Sequence, residues 1–147
     1  MAKEKGITLN ELDKLGEESD FSDRPVEDYV EKLGKTEDNI VIESRTAFHF
    51  IPSSIKIFID VSLEEGAKRI MSDEKSNLTR NEHLYKNIEE AKKKIKERME
   101  SDEKRYKKYY GIEPYDPKNF DFVVDSTNIS KDQVLSRVLG YIKSKHI

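Results

Sequence analysis

Three short apolar runs stand out along the chain, and each is rich in β-branched or aromatic residues. They are Asn39-Ile-Val-Ile-Glu43, Ile55-Lys-Ile-Phe-Ile-Asp60 and Phe120-Asp-Phe-Val-Val-Asp125. Such runs are typical of strands in a sheet. A helix start, or a possible one, follows each run within a few residues. This alternation predicts an α/β fold with a parallel sheet and helical crossovers.

Polar residues mark where the helices begin. A Ser or Thr followed three residues later by Glu or Gln satisfies the first free N–H groups of a helix reciprocally. Four such pairs occur, and the helices they predict cover 8–16, 62–72, 79–109 and 130–145. Gly111 and the prolines after it end the long helix. A further helix near 25–33 is predicted to end at Gly34, which would form a turn before the first strand.

Composition narrows the class of protein. A chain of 147 residues, 35% hydrophobic and 39% charged, suits one domain. A net charge of −3 argues against a dedicated nucleic-acid binder. The absence of cysteine excludes disulfides and thiolate metal sites, and the three histidines are too scattered to predict a metal site. With no apolar run of membrane-spanning length and no signal segment, we expect a cytoplasmic protein without a membrane partner.

The ends of the predicted strands are the first place to look for a ligand. Open parallel sheets bind ligands outside the carboxyl ends of their strands. Arg45 leaves the first strand ahead of a possible helix and is placed to hold an anion. An ion pair with Glu43 or with a neighbouring helix explains Arg45 equally well. Asp60 and Asp125, at the other two strand ends, are interpreted as turn caps.

The long helix carries a second candidate surface. Arg98, Asp102 and Arg105 are spaced four and three residues apart, which puts two guanidinium groups and a carboxylate on one helical face. Guanidinium forks grip phosphate, and a carboxylate accepts from sugar hydroxyls. By spacing alone a solvated face of ion pairs is favoured. Lys92-Lys-Lys94 lies among acidic residues, so that run indicates an exposed charged helix rather than a nucleic-acid surface.

Four segments together resemble the cytidylate kinases, closest to the short archaeal type of this P-loop nucleoside monophosphate kinase family. They cover 39–45, 55–70, 98–112 and 119–127 in order along the chain. The most specific parts are Glu43-Ser-Arg45 and the spacing Arg98-x3-Asp102-x2-Arg105-Tyr106. The resemblance implies a single domain over 1–147, with 1–36 as the acceptor-binding helical region and 73–117 as a helical lid.

The same resemblance implies roles for individual residues. Arg45 would hold the phosphate of CMP or dCMP, the acceptor nucleotide. Arg98 and Asp102 would lie at the lid near the ribose and the transferred phosphates, and Arg105 would reach the cytosine side. Arg98 and Arg105 would be the catalytic residues, with ATP and Mg²⁺ as cofactors. Thr46 departs from the bacterial branch, which has a base-reading Asp there, so monophosphate binding is better supported than cytosine selectivity.

The larger departure concerns the ATP loop, Gly-x4-Gly-Lys-Ser/Thr, whose backbone N–H groups cradle phosphates. Gly34-Lys-Thr36 imitates its last three residues, but Tyr29 stands where the first Gly belongs, and the tripeptide precedes a strand. We therefore expect the first βαβ unit to be missing from this sequence. An upstream segment or a partner would supply it, and the chain alone would be inactive.

Two other functions stay open at this point. One is a non-catalytic nucleotide-binding or interaction protein that retains the acceptor and lid halves. The other is a charged helical adaptor without a ligand.

Overall fold

The computed structural model describes residues 24–72 and 85–145. Over these residues the chain forms helices, strands and one 3₁₀ turn. In order they are α1 (Arg24–Thr36), α2 (Ala47–Phe50), β1 (Ile57–Asp60), α3 (Leu63–Ser72), α4 (Ile88–Tyr110), the 3₁₀ helix Pro117–Asn119, β2 (Phe122–Asp125) and α5 (Lys131–Ser144). The predicted α/β class is confirmed at this level. The predicted helix over 8–16 lies outside the described residues.

The sheet consists of β1 and β2, which pair in parallel. Ile57 lies opposite Phe122, and the register runs to Asp60 opposite Asp125. Both strands therefore end at the same edge, and α3 and α5 leave from that edge. Val124 is buried, whereas its register partner Ile59 and the adjacent Val123, which points to the other side of the sheet, are exposed. The parallel pairing of these two runs is as the sequence predicted.

Small and aromatic side chains fill the contacts around the sheet. α3 packs along α4, and each helix has one completely buried alanine, Ala67 and Ala91. Phe122 of β2 stacks on Tyr141 of α5 with ring centroids 4.4 Å apart. Within the ranges described, no helix is long and apolar enough to cross a membrane.

The strand predicted over 39–43 is wrong. These residues form no regular secondary structure and pair with no strand in the described parts of the chain, whose sheet has only β1 and β2. Val41 is fully exposed, and Asn39 has a positive φ of 57°. A run of β-branched residues becomes a strand only where a neighbouring edge accepts its hydrogen bonds, and residues 24–72 and 85–145 place no such edge beside it.

The start of the long helix also differs from the prediction. Residues 85–87 are not helical, and α4 begins after Asn87, whose side chain accepts the Glu90 amide at 2.9 Å. The Glu90 carboxylate in turn accepts the Lys86 amide at 2.7 Å, so Asn87, and not the predicted Ser or Thr, caps this helix. At the other end Gly111 adopts the left-handed conformation, φ 70°, and stops the helix as predicted.

The first described helix extends beyond its predicted end. α1 continues to Thr36, so Gly34 lies within its last turn and does not form the predicted turn after it. A Cβ atom at position 34 would lie 2.7 Å from the Ile51 side chain. The glycine is thus explained by the close approach of α1 to the end of α2. The starts near 62 and 130 are confirmed, the latter by a capping box between Ser130 and Gln133.

Candidate functional site

Asp102 is the centre of the candidate site. It lies in the middle of α4, its side chain is completely buried, and three donors reach it from three parts of the chain. Arg45 Nε is 3.0 Å from Oδ2, Arg105 Nη2 is 2.7 Å from Oδ1, and the Tyr115 hydroxyl donates to Oδ2 at 2.6 Å. We call these four residues the Asp102 cluster. A buried carboxylate persists because donors such as these replace its hydration.

Short hydrogen bonds fix the backbone on both sides of Arg45. The Thr46 hydroxyl donates to the Glu27 carboxylate, with its two oxygens 2.7 and 2.6 Å away, and both residues are buried. Ser44 Oγ accepts the amides of Thr46 and Ala47 at 3.1 Å each. Thr46 is therefore an anchor between α1 and the start of α2. Sequence reasoning missed Glu27, although it stands one helical turn before the buried Val30.

Arg105 and Asp102 do not form a solvated face. The side chain of Arg105 is 1% exposed, and its guanidinium lies over the Tyr106 ring at 5.0 Å from the centroid. Arg105 Nη1 also lies 3.4 Å from Ser101 Oγ. Arg98, one turn before Asp102, is half-buried. The alternative of surface ion pairs, favoured by spacing alone, is thus wrong for the pair Asp102 and Arg105.

Arg45 is the most exposed member of the cluster. Its side chain is 39% exposed, whereas Asp102 is completely buried. The sequence left open an ion pair with Glu43 or with a neighbouring helix, and the structure places Arg45 against α4. Residues separated by 57 positions therefore meet, with a buried carboxylate orienting a partly exposed guanidinium.

Tyr115 is the cluster residue that sequence reasoning missed. The chain reverses at Gly111 and returns the phenol to the helix it has just left, thirteen residues after Asp102. Lys107 Nζ, 3.0 Å from Glu113, and Asn119, which donates to the Glu113 carbonyl at 2.7 Å, fasten this loop. Burial, and then the charge of Asp102, raises the pKa of the Tyr115 phenol well above its ordinary value. The hydroxyl therefore stays a donor across the ordinary pH range.

The strand ends hold turns, as predicted for Asp60 and Asp125. Asp60 Oδ1 accepts the Val61 amide, and Asp125 Oδ1 accepts the Thr127 amide, both at 2.8 Å. The Thr127 hydroxyl and amide lower the pKa of Asp125. Among residues 24–72 and 85–145, no group of His, Asp and Glu side chains forms a metal site. These carboxylates close turns instead.

Arg69 ties α3 to the same sheet edge. It donates to the Ser126 hydroxyl at 3.0 Å and to the Ser126 carbonyl at 2.7 Å. The Ser126 hydroxyl donates to the Asp60 carbonyl at 2.8 Å, which joins the ends of the two strands. These bonds give Arg69 and Ser126 a structural explanation.

The lysine-rich run of α4 pairs with acids on its own helix. Lys92 lies 3.1 Å from Glu89, and Lys94 lies 2.7 Å from Glu97. Both contacts span three residues along an exposed face, as the interpretation of a charged helix predicted.

The chain is similar in sequence to cytidylate kinases. The sequence model of the cytidylate kinase-like family matches residues 1–128. A cytidylate kinase of Methanosarcina acetivorans is 33% identical over 138 residues, which cover 92% of this chain and 72% of the relative. A cytidylate kinase of Methanothrix thermoacetophila is 31% identical over 98% of this chain and 77% of its own length. One from Pyrococcus furiosus is 34% identical over 97% and 69%. No solved structure matches the chain significantly.

Proposed function

The chain belongs to the cytidylate kinase-like family, and on that premise we propose that it carries the acceptor side of a nucleoside monophosphate kinase site. This site receives CMP or dCMP and positions it for transfer of the ATP γ-phosphoryl group. The transfer proceeds by positioning and charge neutralisation, without a covalent intermediate. The observation that carries the proposal is the partly exposed Arg45 held at a buried carboxylate.

Arg45 is the phosphate-binding residue in this proposal. Its backbone is fixed by the bonds around Thr46, and its Nε is oriented by Asp102. A guanidinium carries five N–H donors in a fixed fork, so it can contact Asp102 through Nε and a phosphate through its terminal groups at once. Preorganisation of this kind lowers the entropic cost of ordering the Arg45 side chain when the ligand binds.

Asp102, Arg105 and Arg98 have supporting roles in the same site. We assign substrate binding to Asp102 and Arg105, and stabilisation of the transferred charge to Arg98 and Arg105. Asp102 and Arg105 are buried in this arrangement, so they act on the nucleotide through the orientation of Arg45.

The proposal includes ATP and Mg²⁺ only because the chain belongs to the cytidylate kinase-like family. Residues 1–147 contain no Gly-x4-Gly-Lys-Ser/Thr sequence, and the described residues form no carboxylate group that would hold Mg²⁺. We therefore assign no step at the ATP phosphates to these side chains. The lack of a Gly-x4-Gly-Lys-Ser/Thr sequence in residues 1–147 favours a second candidate function, nucleotide binding without catalysis. This function uses the same acceptor site but involves no turnover.

Replacing Arg45 by alanine is expected to weaken CMP binding by about 2–4 kcal/mol, because a charge-assisted fork to the phosphate is lost. Isothermal titration calorimetry with CMP measures this loss. Arg137, exposed on α5, supplies the control: Arg137→Ala removes the same group from the surface and should leave the affinity unchanged. Equal CMP affinity in the Arg45→Ala and unaltered proteins would remove Arg45 from the site.

Replacing Arg98 by lysine is expected to lower kcat more than it raises KM, since lysine keeps the charge but loses the planar fork. Steady-state kinetics would be measured in a fusion protein that adds an N-terminal strand, phosphate loop and helix from a relative. Lys96→Arg, at an exposed position of the same helix, is the conservative control. Unchanged turnover in Arg98→Lys, with only a small loss of stability, would mean that Arg98 is structural.

A further inference from the structure

One oxygen of Asp102 serves two donors from distant parts of the chain. Oδ2 accepts the Tyr115 hydroxyl at 2.6 Å and lies 3.0 Å from Arg45 Nε. The other oxygen, Oδ1, accepts Arg105 Nη2 at 2.7 Å. Tyr115 and Arg105 thus hold the two oxygens separately, and together they set the plane of the carboxylate. Arg45, which lies just before α2, contacts the same carboxylate through Oδ2, and 39% of its side chain is exposed.

Loss of the phenol hydroxyl would act first on the carboxylate. The orientation of a carboxylate about its terminal torsion is broad and depends on the donors around it. Of the cluster donors on Oδ2, Tyr115 belongs to the loop that Glu113 ties to Lys107 and Asn119, whereas Arg45 is a long and partly exposed side chain. Without the hydroxyl, Arg105 would still hold Oδ1, but Oδ2 would lose its donor from the loop and would shift with Arg45 instead of fixing it. The guanidinium would then be less well aimed at a ligand.

We propose that Tyr115 is a positioning residue of the acceptor site, which acts through Asp102 to orient Arg45 toward the nucleotide phosphate. This inference rests on the proposed function, because it takes Arg45 as the phosphate-binding residue. Tyr115 itself touches no substrate in the proposal. Its effect on affinity therefore depends on the presence of an arginine at position 45.

The first measurement is a calorimetric titration of the 147-residue chain with CMP. Tyr115→Phe is expected to weaken binding about tenfold, the size of effect that a hydrogen bond to a charged group supports. Tyr109→Phe is the matched control, since it removes a phenol hydroxyl that contacts Lys108 at 2.9 Å away from the cluster. The control should bind CMP as the unaltered chain does. Thermal unfolding of each variant verifies that the protein is folded at the titration temperature.

A double-mutant cycle separates positioning from a structural role. In the Arg45→Lys background, where the Nε–H donor is gone, Tyr115→Phe is expected to change CMP affinity less than about twofold. A tenfold loss in both backgrounds would overturn the proposal, because the hydroxyl would then act independently of Arg45. Full affinity in Tyr115→Phe alone would also overturn it and leave the acceptor site standing. If the unaltered chain does not bind CMP, the acceptor site fails and the positioning role fails with it.

Discussion

Residues 1–147 alone are expected to show no turnover of ATP and CMP above background. Phosphoryl transfer needs a preorganised cradle around the β- and γ-phosphates, and loss of such electrostatic groups costs orders of magnitude in rate. Neither Lys35 nor Lys92 can replace the cradle. Lys35 lies in the last turn of α1, 2.6 Å from Glu31, and Lys92 pairs with Glu89 on α4. Neither follows a glycine-rich turn.

Activity is expected to return when an N-terminal strand, Gly-x4-Gly-Lys-Ser/Thr loop and helix from a relative are joined to the chain. A coupled assay of CMP-dependent ADP release would measure both proteins. The matched control is the same fusion protein with the loop lysine replaced by alanine, which should be as inactive as the chain alone. Substantial CMP kinase activity from residues 1–147 would contradict the prediction that turnover requires a Gly-x4-Gly-Lys-Ser/Thr loop. A folded but inactive fusion protein that still binds CMP would favour the non-catalytic function.

The second large effect is expected at Asp102. Asp102→Asn keeps the shape of the side chain but removes its charge, leaving Arg105, 1% exposed, without its carboxylate. Breaking a buried ion pair by removing one partner costs about 3–5 kcal/mol of unfolding free energy. The Arg45 side of the cluster contributes less, because a side chain that is 39% exposed can be rehydrated. Urea denaturation measures the change.

Two further variants serve as controls for the stability loss expected in Asp102→Asn. Glu103→Gln removes a carboxylate from the exposed face of the same helix and should change stability by less than about 0.5 kcal/mol. The double variant Asp102→Leu with Arg105→Met replaces the buried pair by apolar groups and should recover most of the lost stability. A loss below about 1 kcal/mol in Asp102→Asn would mean that the cluster is hydrated and weak.

Local chemistry explains which elements could be predicted from the sequence. The β1 and β2 runs carry β-branched and aromatic side chains, and each meets a parallel neighbour. The start of α5 follows from Ser130 and Gln133, whose two capping bonds depend only on residues three apart. Gly111 stops α4 for an equally local reason, its left-handed φ.

Contacts between distant residues explain what the sequence did not reveal. The run 39–43 has strand composition, but its conformation depends on a neighbouring edge that the described residues do not provide. Arg45 and Asp102 were each singled out, yet nothing in their spacing predicted that they would meet. Tyr115 reaches the cluster only because the loop after Gly111 turns back, and Glu27 only because α1 packs against Thr46. Their partners are set by the fold rather than by a local pattern.

The most direct test of the account is the contribution of the nucleotide phosphate to binding, measured as the ratio of CMP to cytidine affinity in the unaltered protein and in Arg45→Ala. We expect the unaltered protein to bind CMP about a hundredfold more tightly than cytidine, since only CMP offers a phosphate to the guanidinium. In Arg45→Ala the ratio should fall to within a few-fold, while cytidine affinity stays nearly constant. An unchanged ratio in the two proteins would contradict the assignment of Arg45 to the acceptor phosphate.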